Sequence, residues 1–195
     1  MAQALLNSTQ GPNVTFRILK ESAKVGVVSE LVISIRHARP QDAAALSGVH
    51  DAAWREAYQG VIPDLALRKM IARRGPRWWR SAAGRSRPLV VFDIGEAIAG
   101  YASYGRCRSG PGLADGEIDE LYIAPECQGI GFGRRLFKAV RNDMRDRGAR
   151  RIAVWALADN DRACAFYEGL GGRSVAQTTE RIGGVPLGKI AFLFD

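Results

Sequence analysis

Three glycines alternate with apolar residues in Gln128-Gly-Ile-Gly-Phe-Gly133, and Arg134 and Arg135 follow at once. A backbone without Cβ atoms can approach a ligand closely and adopt positive φ, so such a turn can aim its N–H groups at one point. Where the turn opens a helix, the unsatisfied N–H groups of the first helical turn and the helix dipole favour an anion at that point. Each such contact is worth about 0.3–1 kcal/mol when exposed and up to about 2 when partly buried, and together they suffice for a diphosphate. Spacing separates three phosphate-binding readings. A P-loop ends in Gly-Lys-Ser/Thr, whereas Arg134 and Arg135 follow Gly133 here. The dinucleotide fingerprint needs a glycine three residues after Gly131, where Arg134 stands, and an acidic residue at the end of the next strand, which is missing. The third spacing, Gln-x-x-Gly-x-Gly directly after a strand, fits Gln128, Gly131 and Gly133 without adjustment, and brings in the backbone of Gly129, Ile130, Phe132 and Arg134.

The elements around the turn follow from periodicity. Ile118, Leu121, Tyr122 and Ile123 form a short strand-like run that Pro125 stops. After the turn, Leu136, Phe137, Val140 and Met144 share one face of a helix ending near Gly148. Residues 151–157 read as a second buried strand, and 160–171 as a short helix closed by glycine. Upstream, a strand near Ile33 leads to a helix over about 41–57 and a second helical region over 64–83, interrupted at Gly75-Pro76. Residues 89–94 and 97–104 form a hairpin around Gly95-Glu96, and 106–116 form a loop. Two last strands, near 173–178 and 187–194, pair through a turn at Gly183-Gly184. Residues 1–30 read as an extension in which 14–19 can add a strand, and 31–195 as one domain.

These motifs resemble the GNAT superfamily of N-acetyltransferases. The likeness rests on Gln128, Gly131 and Gly133, on Asn160, Ala163, Phe166, Tyr167, Leu170 and Gly171 downstream, and on the strand and helix entry at 33–42 with Trp54, Tyr58, Gly60 and Pro63. It implies an α/β (α+β) fold: a mixed, mostly antiparallel twisted sheet of about seven strands flanked by about four helices, its strands splayed at the cofactor site. It implies acetyl-CoA as co-substrate, its diphosphate on residues 128–134, and its pantetheine arm against the backbone of Leu121, Tyr122 and Ile123. No metal is implied.

Moving an acetyl group from a thioester to an amine needs a neutral amine, stabilised oxyanion charge and a proton for the departing thiolate. By resemblance Tyr167 supplies that proton, against the plain reading that it packs with Phe166. Asn160 either bonds the pantetheine arm or caps its helix. Glu120 is the candidate base. Glu117 and Asp119 fall on the opposite face by alternation, unless a bulge shifts the register. Some relatives carry a glutamate five residues before the Asn, where this chain has Trp155. The resemblance places Trp54, Tyr58, Trp78 and Trp79 on the wall for the amine, which is a small molecule or a protein amino group.

Composition sets the remaining bounds. With 195 residues, 47% of them hydrophobic, the chain is long enough for one substantial core. No apolar run spans a bilayer, and the first residues carry neither a basic start nor an apolar core for export, so a cytoplasmic protein without a membrane partner is expected. Cys107, Cys127 and Cys164 lack metal-ligand spacing and read as reduced thiols. The net charge of +8 suits an anionic cofactor. Asp143 and Asp146 interleave with the basic residues after the turn, which reads as a solvated face more than a nucleic-acid surface. Two other classes stay open, a non-catalytic coenzyme A sensor and a basic nucleic-acid-binding protein, and so does a homodimer.

Overall fold

In a computed structural model, residues 5–8, 12–21, 28–84, 87–95, 97–110 and 112–195 are described. Glu96 of the expected turn and parts of the N-terminal extension lie outside them. The described residues form one nine-stranded sheet, in the order β1 (Leu5–Ser8), β2 (Val14–Glu21), β3 (Val28–His37), β4 (Leu89–Asp93), β5 (Ile98–Arg106), β6 (Gly116–Ile123), β7 (Ile152–Leu157), β9 (Val185–Phe194) and β8 (Arg173–Ile182). Only β6 and β7 run parallel, and every other neighbouring pair is antiparallel. Seven strands, β3 to β9, match the expected count. The other two come from the N-terminal extension, which pairs onto β3 and lengthens the sheet.

Among the described residues five α-helices cover the sheet: α1 (Ala43–Tyr58), α2 (Asp64–Ala72), α3 (Pro76–Ala82), α4 (Phe132–Asp146) and α5 (Asp161–Glu168). The fifth arises because Pro76, which has no N–H to donate, ends the expected second helical region and starts α3. Cross-strand pairs sort the faces. Tyr104, Ala102 and Gly100 lie opposite Ile118, Leu121 and Ile123, and this face packs on Leu136, Phe137 and Val140 of α4 and on Phe166 and Tyr167 of α5. Val91 and Tyr101, with Tyr122 beside them, face Leu46 and Val49 of α1 and Trp79 of α3. Helix α1 therefore lies on one face of the sheet, and α4 and α5 on the other.

One irregularity in β6 shapes the sheet around the gap. Ser103 pairs with Glu120 and Tyr104 with Ile118, so Asp119 is an extra residue in β6. A bulge bends its strand and increases its twist. The parallel pairing of β6 with β7 runs only over Gly116, Glu117 and Ile118, stopping one residue before the bulge. Beyond it the two strands part, as the resemblance implied, while β6 stays paired with β5 as far as Ile123.

Candidate active site

The gap between β6 and β7 opens into a cleft of about 930 Å³. Its lining includes Leu121, Tyr122 and Ile123 of β6, the loop after β6, and Asn160, Phe166 and Tyr167 from α5 and its start. In the antiparallel ladder with β5, the Ala124 N–H donates to the Ala99 carbonyl at 2.8 Å. Alternation then turns the main chain of Tyr122 toward β5 and that of Leu121 and Ile123 into the gap. Of the three residues whose backbone was expected to meet the pantetheine arm, two present main-chain groups there and Tyr122 presents its side chain.

The loop between β6 and α4 turns on its glycines. Gly129 and Gly131 adopt φ of 75° and 88°, which a side chain would strain. The first main-chain bond of α4 runs from the Arg135 N–H to the Gly131 carbonyl, and α4 has no side-chain cap. Among the described residues, the N–H groups of Gly129, Ile130, Gly131, Phe132, Gly133 and Arg134 find no protein acceptor. The first N–H groups of any helix lack an intrahelical acceptor, and here an exposed glycine turn lengthens that run, so the consecutive free donors fit an anion well. Gly133 lets the Phe166 ring approach to 3.3 Å of where a Cβ would stand, which seats α5 against the loop.

Tyr167 packs in the core, as its plainer reading had it, and also reaches the cleft. Its ring is buried against Phe137, Phe166, Phe192 and Phe194, and it also borders the cleft. Burial, with smaller contributions from Tyr58 and Cys164, pushes its hydroxyl well above the ordinary tyrosine range, so it is a protonated donor at neutral pH. The Asn160 side chain accepts the Ala163 N–H at 3.0 Å, so the cap is formed, and the residue still borders the cleft.

Glu120 lies on β6, the strand that leads into the glycine turn. It does not line the cleft, and its carboxylate is ion-paired with the Arg74 guanidinium, which lies 4.8 Å from the centroid of the Trp78 ring. Burial raises the Glu120 pKa from its ordinary value, and Arg74 opposes that shift without cancelling it. The bulge also overturns strict alternation. Ser103 and Gly105 lie on one face of β5 and pair with Glu120 and Glu117, so these two carboxylates share a face. Glu117 is held by the N–H groups of Arg108 and Ser109 and by the Ser109 hydroxyl, while Asp119 is held by Arg87 and Arg108. Both anchor the β5–β6 loop.

Two of the four aromatic residues expected on the amine wall are closed off. Trp79 is buried against Tyr101 and His50, and Trp54 lies in the core between His50 and Tyr58. Tyr58 bonds the Tyr122 hydroxyl at 2.7 Å and Trp78 carries Arg74. Arg74, Tyr101 and His50 were missed from the sequence. A histidine inside an amphipathic helix and one arginine among many give no signal until the fold brings Arg74 to Glu120 and His50 to Tyr101. At Trp155, where some relatives have a glutamate, the indole sits 5.6 Å from the Lys189 ammonium. Burial raises all three cysteine thiols, so Cys127 is no activated nucleophile.

A sheet split beside a helix N-terminus, with an anion loop and a cleft for an extended arm, defines a protein that binds an acyl carrier with a diphosphate. The sequence profile of the acetyltransferase (GNAT) family matches residues 48–171, and the chain belongs to that family. It is 27% identical over 159 residues to the uncharacterized N-acetyltransferase YuaI of Bacillus subtilis, covering 82% of this chain and 91% of that protein. It is 26% identical over 146 residues to the L-amino acid N-acyltransferase MnaT of Escherichia coli, covering 71% and 78%. Among solved structures it resembles the PaiA N-acetyltransferase of Thermoplasma acidophilum in complex with coenzyme A, with a TM-score of 0.65, 16% identity and coverage of 80% and 97%. YncA of Salmonella typhimurium, solved with acetyl-CoA, gives 0.60, 22%, and coverage of 83% and 92%. The protein is an acetyl-CoA-dependent N-acetyltransferase. No described helix is long and apolar enough to cross a membrane.

Proposed function

We propose that the acetyl group passes directly to a primary amine held at the open end of the split sheet, without an acyl-enzyme stage. The observation that carries this reading is the run of free N–H groups over residues 129–134 beside a cleft walled by the parted strands. Bound acetyl-CoA supplies the activated acetyl group as a thioester. The loop N–H groups hold its diphosphate, and the main chain of Leu121 and Ile123 aligns its arm. Holding two reactants in line can supply about 7–11 kcal/mol of barrier reduction, whereas acid–base help contributes roughly 10²–10⁴-fold. Tyr167 gives its hydroxyl proton to the departing sulfur.

The Glu120 carboxylate takes the amine proton at one remove, through water, because its own oxygens lie outside the cleft lining. Cytoplasmic placement belongs to this reading too. MnaT points to amino acids and their analogues as the first acceptors to try. Calorimetry with acetyl-CoA, followed by thiol release against a panel of amines, tests the whole reading. Binding and release with an amino-acid acceptor are expected, and a titration without heat overturns it.

A further inference from the structure

Helices on opposite faces of a sheet do not normally touch, yet α1 and α5 do so here. Arg162, in the first turn of α5, donates through Nη1 at 2.5 Å to the Glu56 carboxylate of α1 and at 2.5 Å to the Gln128 side-chain oxygen. The Gln128 side-chain nitrogen donates in turn to Glu56 and to the Ile123 carbonyl, each at 3.1 Å. All three side chains line the cleft. The contact exists only because β6 and β7 have parted, leaving an opening through which the two faces communicate. A ligand whose diphosphate sits on residues 129–134 and whose arm runs into the gap must pass this contact.

We propose that Glu56 and Arg162 are positioning residues for the acyl-CoA donor. They form a strap that fixes the Gln128 amide, and with it the anion loop, and they close the sheet opening behind the bound arm. The inference rests on the reading of residues 129–134 as the diphosphate site. Gln128 is suited to such fixing, because both its nitrogen and its oxygen are engaged and each bond selects one orientation of the amide. The strap also places a carboxylate near an anion site, which is unfavourable unless a cation stays with it. Arg162 supplies that cation. A rival role for Arg162, direct pairing with the diphosphate, makes the opposite forecast for Glu56. Removing the carboxylate would then free the guanidinium and strengthen binding.

The test is calorimetry and stopped-flow binding of coenzyme A to wild type, Glu56→Gln, Arg162→Met and Arg162→Lys, with steady-state kinetics on acetyl-CoA. Both partners are largely or partly exposed, and exposed ion pairs contribute little to stability, so the variants should fold. Glu56→Gln and Arg162→Met should each weaken binding about three- to tenfold, mostly through faster release, and raise KM for acetyl-CoA while kcat changes less than about twofold. Arg162→Lys, a point charge without the fork, should recover part of the loss. Unchanged affinity in both variants overturns the strap, and so does tighter binding by Glu56→Gln. Failure of the wild type to bind coenzyme A strikes the diphosphate reading instead.

Discussion

Acid should loosen this protein earlier than its carboxylates require, and His50 is the reason. Its side chain is fully buried on α1, among Trp54, Trp79 and Tyr101, with Nδ1 2.8 Å from the Tyr101 hydroxyl. Burial first, and repulsion from Arg74 second, pull its pKa from 6.5 down to about 3, with Asp51 opposing weakly. The unfolded chain therefore binds more protons than the folded one between about pH 6.5 and 3, and stability falls as pH falls through that window. For those two values the loss between pH 7.5 and 5 is about 2 kcal/mol, a sizeable share of the roughly 5–15 kcal/mol of a typical domain. Glu120, whose pKa is raised, works the other way as it protonates. Asp42 and Glu117, whose pKa values are lowered, add to the loss mainly below about pH 4.5. Urea unfolding of wild type and His50→Gln at pH 7.5, 6 and 5 separates these contributions, since glutamine can still bond Tyr101 but does not titrate. The variant starts less stable and should lose about 2 kcal/mol less across the range. Parallel losses in the two proteins would refute the argument.

Tyr167→Phe keeps the ring among its four phenylalanine neighbours and removes the proposed acid, so kcat should fall roughly 10²- to 10⁴-fold with coenzyme A affinity nearly intact. Unaltered turnover would take Tyr167 out of the chemistry. Gly131→Ala places a Cβ at φ 88°, which costs about 1–2 kcal/mol and tilts the loop N–H groups, so thermal unfolding should shift and calorimetry should show weaker coenzyme A binding. Tyr104→Phe leaves the buried Asp143 without the hydroxyl that donates to it at 2.8 Å, though Arg147 remains. A loss of about 1–3 kcal/mol in denaturant unfolding is expected, with kcat unchanged.

What could be read from the residues was local. Glycine permits the positive φ found at Gly129 and Gly131, and the buried stripe of Leu136, Phe137, Val140 and Met144 follows from helical spacing. The helix cap at Asn160 was likewise one of two stated choices. What could not be read depends on a single inserted residue. Nothing in Glu117-Ile-Asp-Glu-Leu121 fixes Asp119 as the bulge, because helices cover both faces of the sheet, and strict alternation, with Ile118 and Leu121 on opposite faces, would bury both residues as well. Resolving it needs the partner strand, where Tyr104 lies opposite Ile118 and Ser103 opposite Glu120. That slip moves Glu117 to the face of Glu120, turns the Tyr122 backbone away from the gap, and stops the pairing with β7 after Ile118.

The bulge also explains why the site joins residues far apart in the chain. A continuous sheet would keep α1 and α5 apart, with Tyr58 and Glu56 on one face and Tyr167 and Arg162 on the other. By bending β6 out of the ladder one residue beyond the last parallel pair, the bulge opens a window of unpaired main chain. Such an opening is unfavourable for a folded protein, since exposed strand edges invite mispairing. It is tolerable where a ligand's extended amide arm supplies the missing hydrogen bonds, as a strand would. Two features at its rim limit the exposure meanwhile: the Gln128 nitrogen occupies the Ile123 carbonyl, and Arg162 holds Gln128 in place. Coenzyme A should therefore protect the amides of Leu121 and Ile123 from hydrogen exchange more than that of Tyr122, which β5 already protects. Equal protection at all three would mean that the arm does not complete the sheet.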